Sequence, residues 1–193
     1  TLYGEEMTKA EAAARIVNAQ INELVLRCIK MEDTRHYYDI AVIGYGEKAY
    51  SGWQGELEGR DFVSPEELKK HPNTKNITRN ESRTRKGVQI KEIEQVQWIT
   101  ARHDGSWTHY HAAFDYAKEL LDKWMTKHHE QDCYPPTIIN ITDGWFNHAS
   151  LDTVTQKANE LKAMFTNDGN VILFNIHFTA DKDATPIACP ISK

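Results

Sequence analysis

Residues 135–150 read PPTIINITDGWFNHAS, a short apolar run that ends on an acid and a glycine. In an open α/β sheet the crevice beyond the carboxyl ends of the strands is where ligands bind. A strand that delivers Asp143 there presents a candidate ligand or catalyst. Gly144 lets the backbone turn tightly directly after it. A carboxylate joined by hydroxyl groups at strand ends and helix N-termini is a set of hard oxygen donors, suited to Mg²⁺ with waters completing the octahedron. The histidines suggest a competing chemistry. His103, His109 and His111 lie close together in sequence and His148 follows Asp143. With an acid they could form the site of a zinc or iron hydrolase. Against this, His-rich loops are commonly solvated, the two rings of a His-x-His at a helix start are expected to point apart, and no second carboxylate is spaced to act as a base.

Those residues need elements to hold them. Residues 7–30 open with Thr8 and Glu11 at capping-box spacing and continue with Ala12, Ile16, Ala19, Leu24 and Cys28, which predicts a helix of about twenty residues. YYDIAVIGYG, residues 37–46, reads as a strand covered on both faces, closed by a turn at Gly44 and Gly46. From Ser51 to about Thr100 the pattern loosens into an elaborated crossover. Within it SPEELKKH is a short helix, and VQIKEIEQVQWIT, with Val88, Ile90 and Ile93 alternating, is a strand or hairpin.

A second long helix follows over 109–128, with Ala113, Tyr116 or Ala117, Leu120, Leu121 and Trp124 on one face. Pro135 and Pro136 isolate the strand TIINIT. Ser150 caps a helix striped by Leu151, Val154, Ala158, Leu161 and Phe165, and GNVILFNIHF is a last buried strand. Trp53, Trp98 and Trp124 belong to packing. The alternation predicts one α/β domain over 1–193, Rossmann-like and doubly wound, with a mainly parallel sheet flanked by helices.

Composition excludes several classes. A net charge of −5, from 28 acidic and 23 basic residues, argues against a nucleic-acid binder or a membrane-surface helix. The basic stretch TRNESRTRKG, residues 78–87, carries acid and no aromatics, and reads as a solvated loop. Cys28, Cys133 and Cys189 are odd in number and far apart, which suggests neither a disulfide framework nor a zinc knuckle and fits a reducing cytoplasm. The longest apolar runs fall well short of the roughly 20 residues that span a bilayer.

Five segments taken in order, MTKAEAAARIVNAQINELV, YDIAVIGYG, GSWTHYHAAFDYAKELLDKW, PPTIINITDG and NDGNVILFNIHF, resemble a bacterial von Willebrand factor A domain. The resemblance runs over nearly the whole chain, and ITDG followed by a helix and DGNVILFNIH is its most specific part. It implies a metal-ion-dependent adhesion site holding Mg²⁺ or Mn²⁺ on three loops. Thr108 matches the family's second-loop threonine and Asp143 its third-loop aspartate. It also implies that a partner protein completes the coordination with an acidic side chain, so that the chain is a binding module and not an enzyme.

The family's first-loop motif, Asp-x-Ser-x-Ser after a central strand, does not precede the first helix. We expect it upstream of Thr1, on an apolar strand. Asp104-Gly-Ser106-Trp-Thr108 mimics that motif but follows polar residues instead of a strand. Trp107, Tyr110, Trp145 and Phe146 fall in the loops expected around the metal, where a plain turn would favour Asn, Ser or Gly. They are candidate anchors for the partner, with folding back onto the sheet end as the alternative.

Overall fold

In the computed structural model of the protein, which describes residues 7–31, 33–84, 87–102, 109–129, 131–143 and 149–179 without the side chains of 75–95, helices and strands are mixed as the alternating pattern requires. Helix α1 spans Lys9–Cys28. The Thr8 hydroxyl accepts from the Glu11 backbone N–H while the Glu11 carboxylate accepts from that of Thr8, so two otherwise orphaned donors are satisfied.

The buried face of α1 is Ala12, Asn18, Ile21, Val25 and Cys28. This corrects the expected stripe, since Ala19 is exposed and Ile16 and Leu24 are only half-buried. The phase is set by an amide as well as by apolar residues. Asn18 Oδ1 accepts from the backbone N–H groups of Trp98 at 2.8 Å and Ile99 at 3.2 Å, and its Nδ2 donates to the Ile99 carbonyl at 2.8 Å. A buried amide so fully used holds α1 in one rotation.

Strands β1 (Ile29–Lys30) and β2 (Asp33–Thr34) form a minimal antiparallel pair. Ile40 then bridges to Val63, and β3 (Ile43–Tyr45) pairs antiparallel with β4 (Ala49–Ser51). Gly44 lies inside β3 and not in a turn, and glycine is needed there because a Cβ would stand 2.4 Å from the Tyr50 ring across the pair. Of the strand expected over 37–46 only Ile43–Tyr45 is strand, and Tyr37 and Tyr38 are exposed; the half-buried residues 40–45 do have apolar neighbours on both sides. Ile40 and Val42 pack with Ile21, Val25, Trp53, Leu57 and Trp98, whereas Ile43 and Tyr45 pack with Tyr110, Phe114, Leu121 and Leu161.

The crossover holds a 3-10 turn at Gly55–Leu57 and the short helix α2 (Pro65–Lys70), capped by a Ser64–Glu67 box. Strands β5 (Thr74–Thr84) and β6 (Gly87–Gln97) form a long antiparallel ribbon. The basic stretch expected as a loop is therefore mostly strand. Its register sets Arg79 opposite Glu92 and Thr78 opposite Ile93. Trp53 and Trp98 are fully in the core, and the Trp98 indole donates to the Leu68 carbonyl.

Helix α3 (Tyr110–His128) turns Ala117, not Tyr116, to the inside, together with Tyr110, Ala113, Phe114, Leu120 and Leu121. Strand β7 (Thr137–Thr142), helix α4 (Leu151–Ala163, capped by Ser150), the pair β8 (Phe165–Thr166) and β9 (Gly169–Asn170), and strand β10 (Ile172–His177) complete the described order. β10 runs parallel to β7, from Ile172 opposite Thr137 to His177 opposite Thr142.

Two expectations fail here. The stripe on α4 is incompletely covered, with Leu161 buried but Leu151 exposed and Phe165 exposed in β8. β10, expected as a buried strand, exposes Ile172, Phe174 and Ile176 beside Ile139 of β7. Strand side chains alternate between faces. Ile138 turns toward the α3 and α4 cluster, and these four residues fall on the opposite face. The chain is thus mixed α/β, but among the described residues parallel pairing is confined to β7 and β10, and the wider parallel sheet is not formed. No described helix is long and apolar enough to cross a membrane.

At the far end of α3 a single carboxylate joins helix to strand. The Trp124 indole donates to Asp39 Oδ2 at 2.8 Å, His36 Nε2 lies 2.7 Å from Oδ1, and His128 Nε2 lies 3.7 Å from Oδ2 with its ring against Trp124. Burial pushes the Asp39 carboxyl up, but the hydrogen bonds from Trp124 and His36 and the attraction of His36 and His128 together outweigh it, and the group is held below the ordinary carboxylate range. A depressed folded pKa means that the stabilisation is present above the unfolded value of about 4 and is lost as pH falls through the folded one. The urea midpoint of the wild-type protein is expected to fall between about pH 5 and pH 3, and Asp39→Asn to start lower at pH 7 and fall less steeply. Glu66 and Glu67, also held low, by Lys70 and by the Ser64 backbone, keep the slope from vanishing. An unchanged slope in the variant would remove Asp39 from the account.

Candidate functional site

Four contacts gather the ends of the elements in one place. Tyr45, the last residue of β3, donates its hydroxyl to the Ile141 carbonyl at 3.1 Å, with Asn140 Oδ1 at 3.4 Å. The His109 backbone N–H, at the start of α3, donates to the Gly46 carbonyl just beyond β3 at 2.9 Å. Phe178, just past β10, donates its N–H to Thr142 at the end of β7 at 3.0 Å. Lys9, the first residue of α1, sets its ammonium 2.8 Å from Asp143 Oδ2. The carboxyl ends of β3, β7 and β10 thus meet the N-termini of α1 and α3, and Asp143 stands among them.

A polar network supports this end from below. Asn140 is 8 % exposed. Its Nδ2 donates to the Tyr110 hydroxyl and to Asn175 Oδ1, tying β7 to α3 and to β10. The Tyr45 and Tyr110 rings meet edge to face at 5.6 Å, and Tyr110 meets Phe114 likewise at 5.5 Å. Burial first, and then the neighbouring Tyr110, push the Tyr45 phenol far above its ordinary value, with a further push from the Asp143 charge that the Thr142 hydrogen bond opposes. Tyr45 is accordingly a fixed donor at neutral pH. Asp143 itself is about a quarter exposed, and Lys9 about half.

Of the residues singled out in the sequence, Asp143, Tyr110, His109 and His111 are described, while Thr108, Trp107, Trp145, Phe146, His103 and His148 lie outside the described residues, as do Asp104 and Ser106. Tyr110, weighed as an exposed partner contact, is instead 7 % exposed with its hydroxyl engaged below the site, so it takes the packing alternative. His109 and His111 do not point apart: their rings stack with centroids 5.6 Å apart. His109 is the N-cap, at φ −92° and ψ 78°, and is therefore released from the angular step that a regular helix imposes. His111 Nδ1 is buried without a hydrogen-bond partner. Among the described residues no group of three or more His, Cys, Asp or Glu is arranged to hold a metal.

Sequence reading missed Lys9, Tyr45 and Asn140. Asn140 carried a signal, as the one amide inside TIINIT. Lys9 carried a fainter one, a cation at a helix start where the dipole favours an anion. Away from Asp143, an open cleft of about 280 Å³ lies between α3, α4 and β10, bordered by Phe114, Ala158, Lys162 and Asn175. It is at or below the small end of ligand-pocket sizes.

No family model matches the chain, and neither the curated proteins nor the solved structures contain a significant match.

Replacing Asn140 by Ala removes the amide that ties the buried Tyr110 hydroxyl to β7 and to Asn175, and leaves a void under the site. A side-chain hydrogen bond contributes about 0.5–1.5 kcal/mol net, and a loss of about 1–3 kcal/mol of unfolding free energy for the two bonds is expected from urea denaturation. A midpoint equal to that of the wild type would show that the network does not hold β7 against α3.

Proposed function

We propose that the chain is a von Willebrand factor A-type domain, doubly wound around a mainly parallel sheet, which captures a partner protein through a Mg²⁺ or Mn²⁺ ion at Asp143 and Thr108. The observation that carries the reading is the convergence of two helix N-termini and three strand ends on Asp143, with a positive charge already seated on its carboxylate. That ammonium is a stand-in for a cation, and the Asp143 carboxylate is a hard donor of the kind these ions take. The remaining ligands in this reading are Thr108 and an Asp-x-Ser-x-Ser motif on a strand upstream of Thr1. Support for such a strand comes from β3 and β7. Each has a single strand partner among the described residues, and Tyr45 spans from one to the other through its side chain. A strand between them, leading into α1 beside Asp143, would join the two pairs into one sheet.

The bound ion would offer an open coordination position to an acidic side chain of the partner, and Trp107, Trp145 and Phe146 would flank it. The domain would act by binding, not catalysis, in the bacterial cytoplasm and within a multi-protein system. With the metal site degenerate, the same scaffold would bind without the ion.

On the full-length polypeptide, isothermal titration is expected to show Mg²⁺ or Mn²⁺ binding that Asp143→Ala abolishes. Tight stoichiometric Zn²⁺ binding that survives Asp143→Ala, and is lost in His109→Ala with His111→Ala, would favour a histidine-based hydrolase instead. Truncating a buried aromatic anchor costs about 2 kcal/mol or more of binding, so Trp145→Ala with Phe146→Ala is expected to weaken partner capture roughly thirtyfold with the melting temperature retained. Undiminished capture with a large fall in melting temperature would mark these rings as packing.

A further inference from the structure

Lys9 stands at an awkward place. At the first position of α1 a cation opposes the partial positive charge of the helix N-terminus, where carboxylates are favoured. The nearby Glu11 carboxylate is turned back onto Thr8, accepting from its N–H at 2.7 Å and its hydroxyl at 2.9 Å. Lys9 reaches instead to Asp143, 134 positions away in the chain, and closes a 2.8 Å ion pair at the carboxyl end of β7. An unfavourable local choice is thus offset by one tertiary contact, and that contact falls on the carboxylate to which the metal reading assigns the ion.

We propose that Lys9 is a tethered counter-cation which competes with a divalent ion for Asp143 and so sets the affinity of the site. The inference rests on the reading of Asp143 as a metal ligand. A metal ion that takes Oδ2 displaces the ammonium, and one that takes Oδ1 meets its positive charge at close range, so loading the site weakens or releases the Lys9 contact. The side chain is half exposed and has solvent to move into. Release also removes the ion pair that links the first turn of α1 to the end of β7. Without the ion, Lys9 neutralises a carboxylate that otherwise adds to the negative potential beside the Tyr45 phenol.

The competition is modest in size. A partly exposed ion pair changes an equilibrium by roughly threefold to fivefold, and screening by salt reduces the effect. The test is a Mn²⁺ titration of the full-length protein at low ionic strength, reading the free-ion electron paramagnetic resonance signal for wild type, Lys9→Gln, Lys9→Met, Lys9→Arg and Asp143→Asn. Lys9→Gln and Lys9→Met are expected to bind Mn²⁺ about threefold to fivefold tighter than wild type, with the gap narrowing as salt is added. Lys9→Arg is expected to stay near wild type, and Asp143→Asn to lose binding. The two neutral variants guard against a folding defect peculiar to either, with circular dichroism as the check. Equal or weaker binding in both, while Asp143→Asn abolishes it, would overturn the competition and leave the metal reading standing. Absence of Mn²⁺ binding in every protein would overturn both.

Discussion

Residues 40–45 belong to two cores at once, and the rest of the fold is arranged around that constraint. Ile40 and Val42 face α1 and the tryptophans of the crossover, while Ile43 and Tyr45 face α3 and α4. A segment with apolar residues on both sides must be covered on both sides, which forces helices onto opposite faces of a thin strand layer. Asn18 then fixes the rotation of α1 over one face, and Asn140 fixes β7 against α3 on the other. Each is an amide in an otherwise apolar setting, where a satisfied hydrogen-bonding group specifies one arrangement among many that burial alone would tolerate.

The same constraint concentrates charge at one end. Because β3 and β7 send their carboxyl ends the same way as the starts of α1 and α3, backbone N–H groups and strand-end side chains collect around Asp143. An acid there sits in a field made favourable by helix N-termini. Lys9 adds a mobile positive charge to that field. The Asp143 carboxylate is therefore held by positive groups of the protein's own.

Much of this was legible in the sequence, and the failures have physical causes. Local signals that depend on a few neighbouring residues succeeded: the Thr8–Glu11 spacing, the short SPEELKKH helix, the Ser150 cap, and the TIINIT strand all correspond to observed elements. The rotation of α1 was misread because periodicity treats Asn18 as polar and hence outward, whereas its amide finds three backbone partners from residues 98 and 99. The ribbon of β5 and β6 was half missed because the charged residues of 78–87 suggested a loop, although in a two-stranded ribbon charges can stand opposite one another. Gly44 was taken for punctuation, and only the tertiary position of the Tyr50 ring explains why glycine is needed within the strand. Lys9 was passed over because its one faint signal, a cation at a helix start, says nothing of a partner 134 residues distant. Asp143 was visible for the opposite reason, since the apolar run before it dictates which end of a strand it occupies.

The claim on which the functional account turns is the location of the cation. Paramagnetic broadening by substoichiometric Mn²⁺ maps it directly in the amide spectrum of isotopically labelled full-length protein. The account predicts broadening centred on Thr142, Asp143 and the first turn of α1, reaching Tyr45 and leaving the Asp39 end of α3 sharp. Broadening centred on His109 and His111 with the Asp143 resonances intact, or spread evenly over exposed carboxylates, would contradict it.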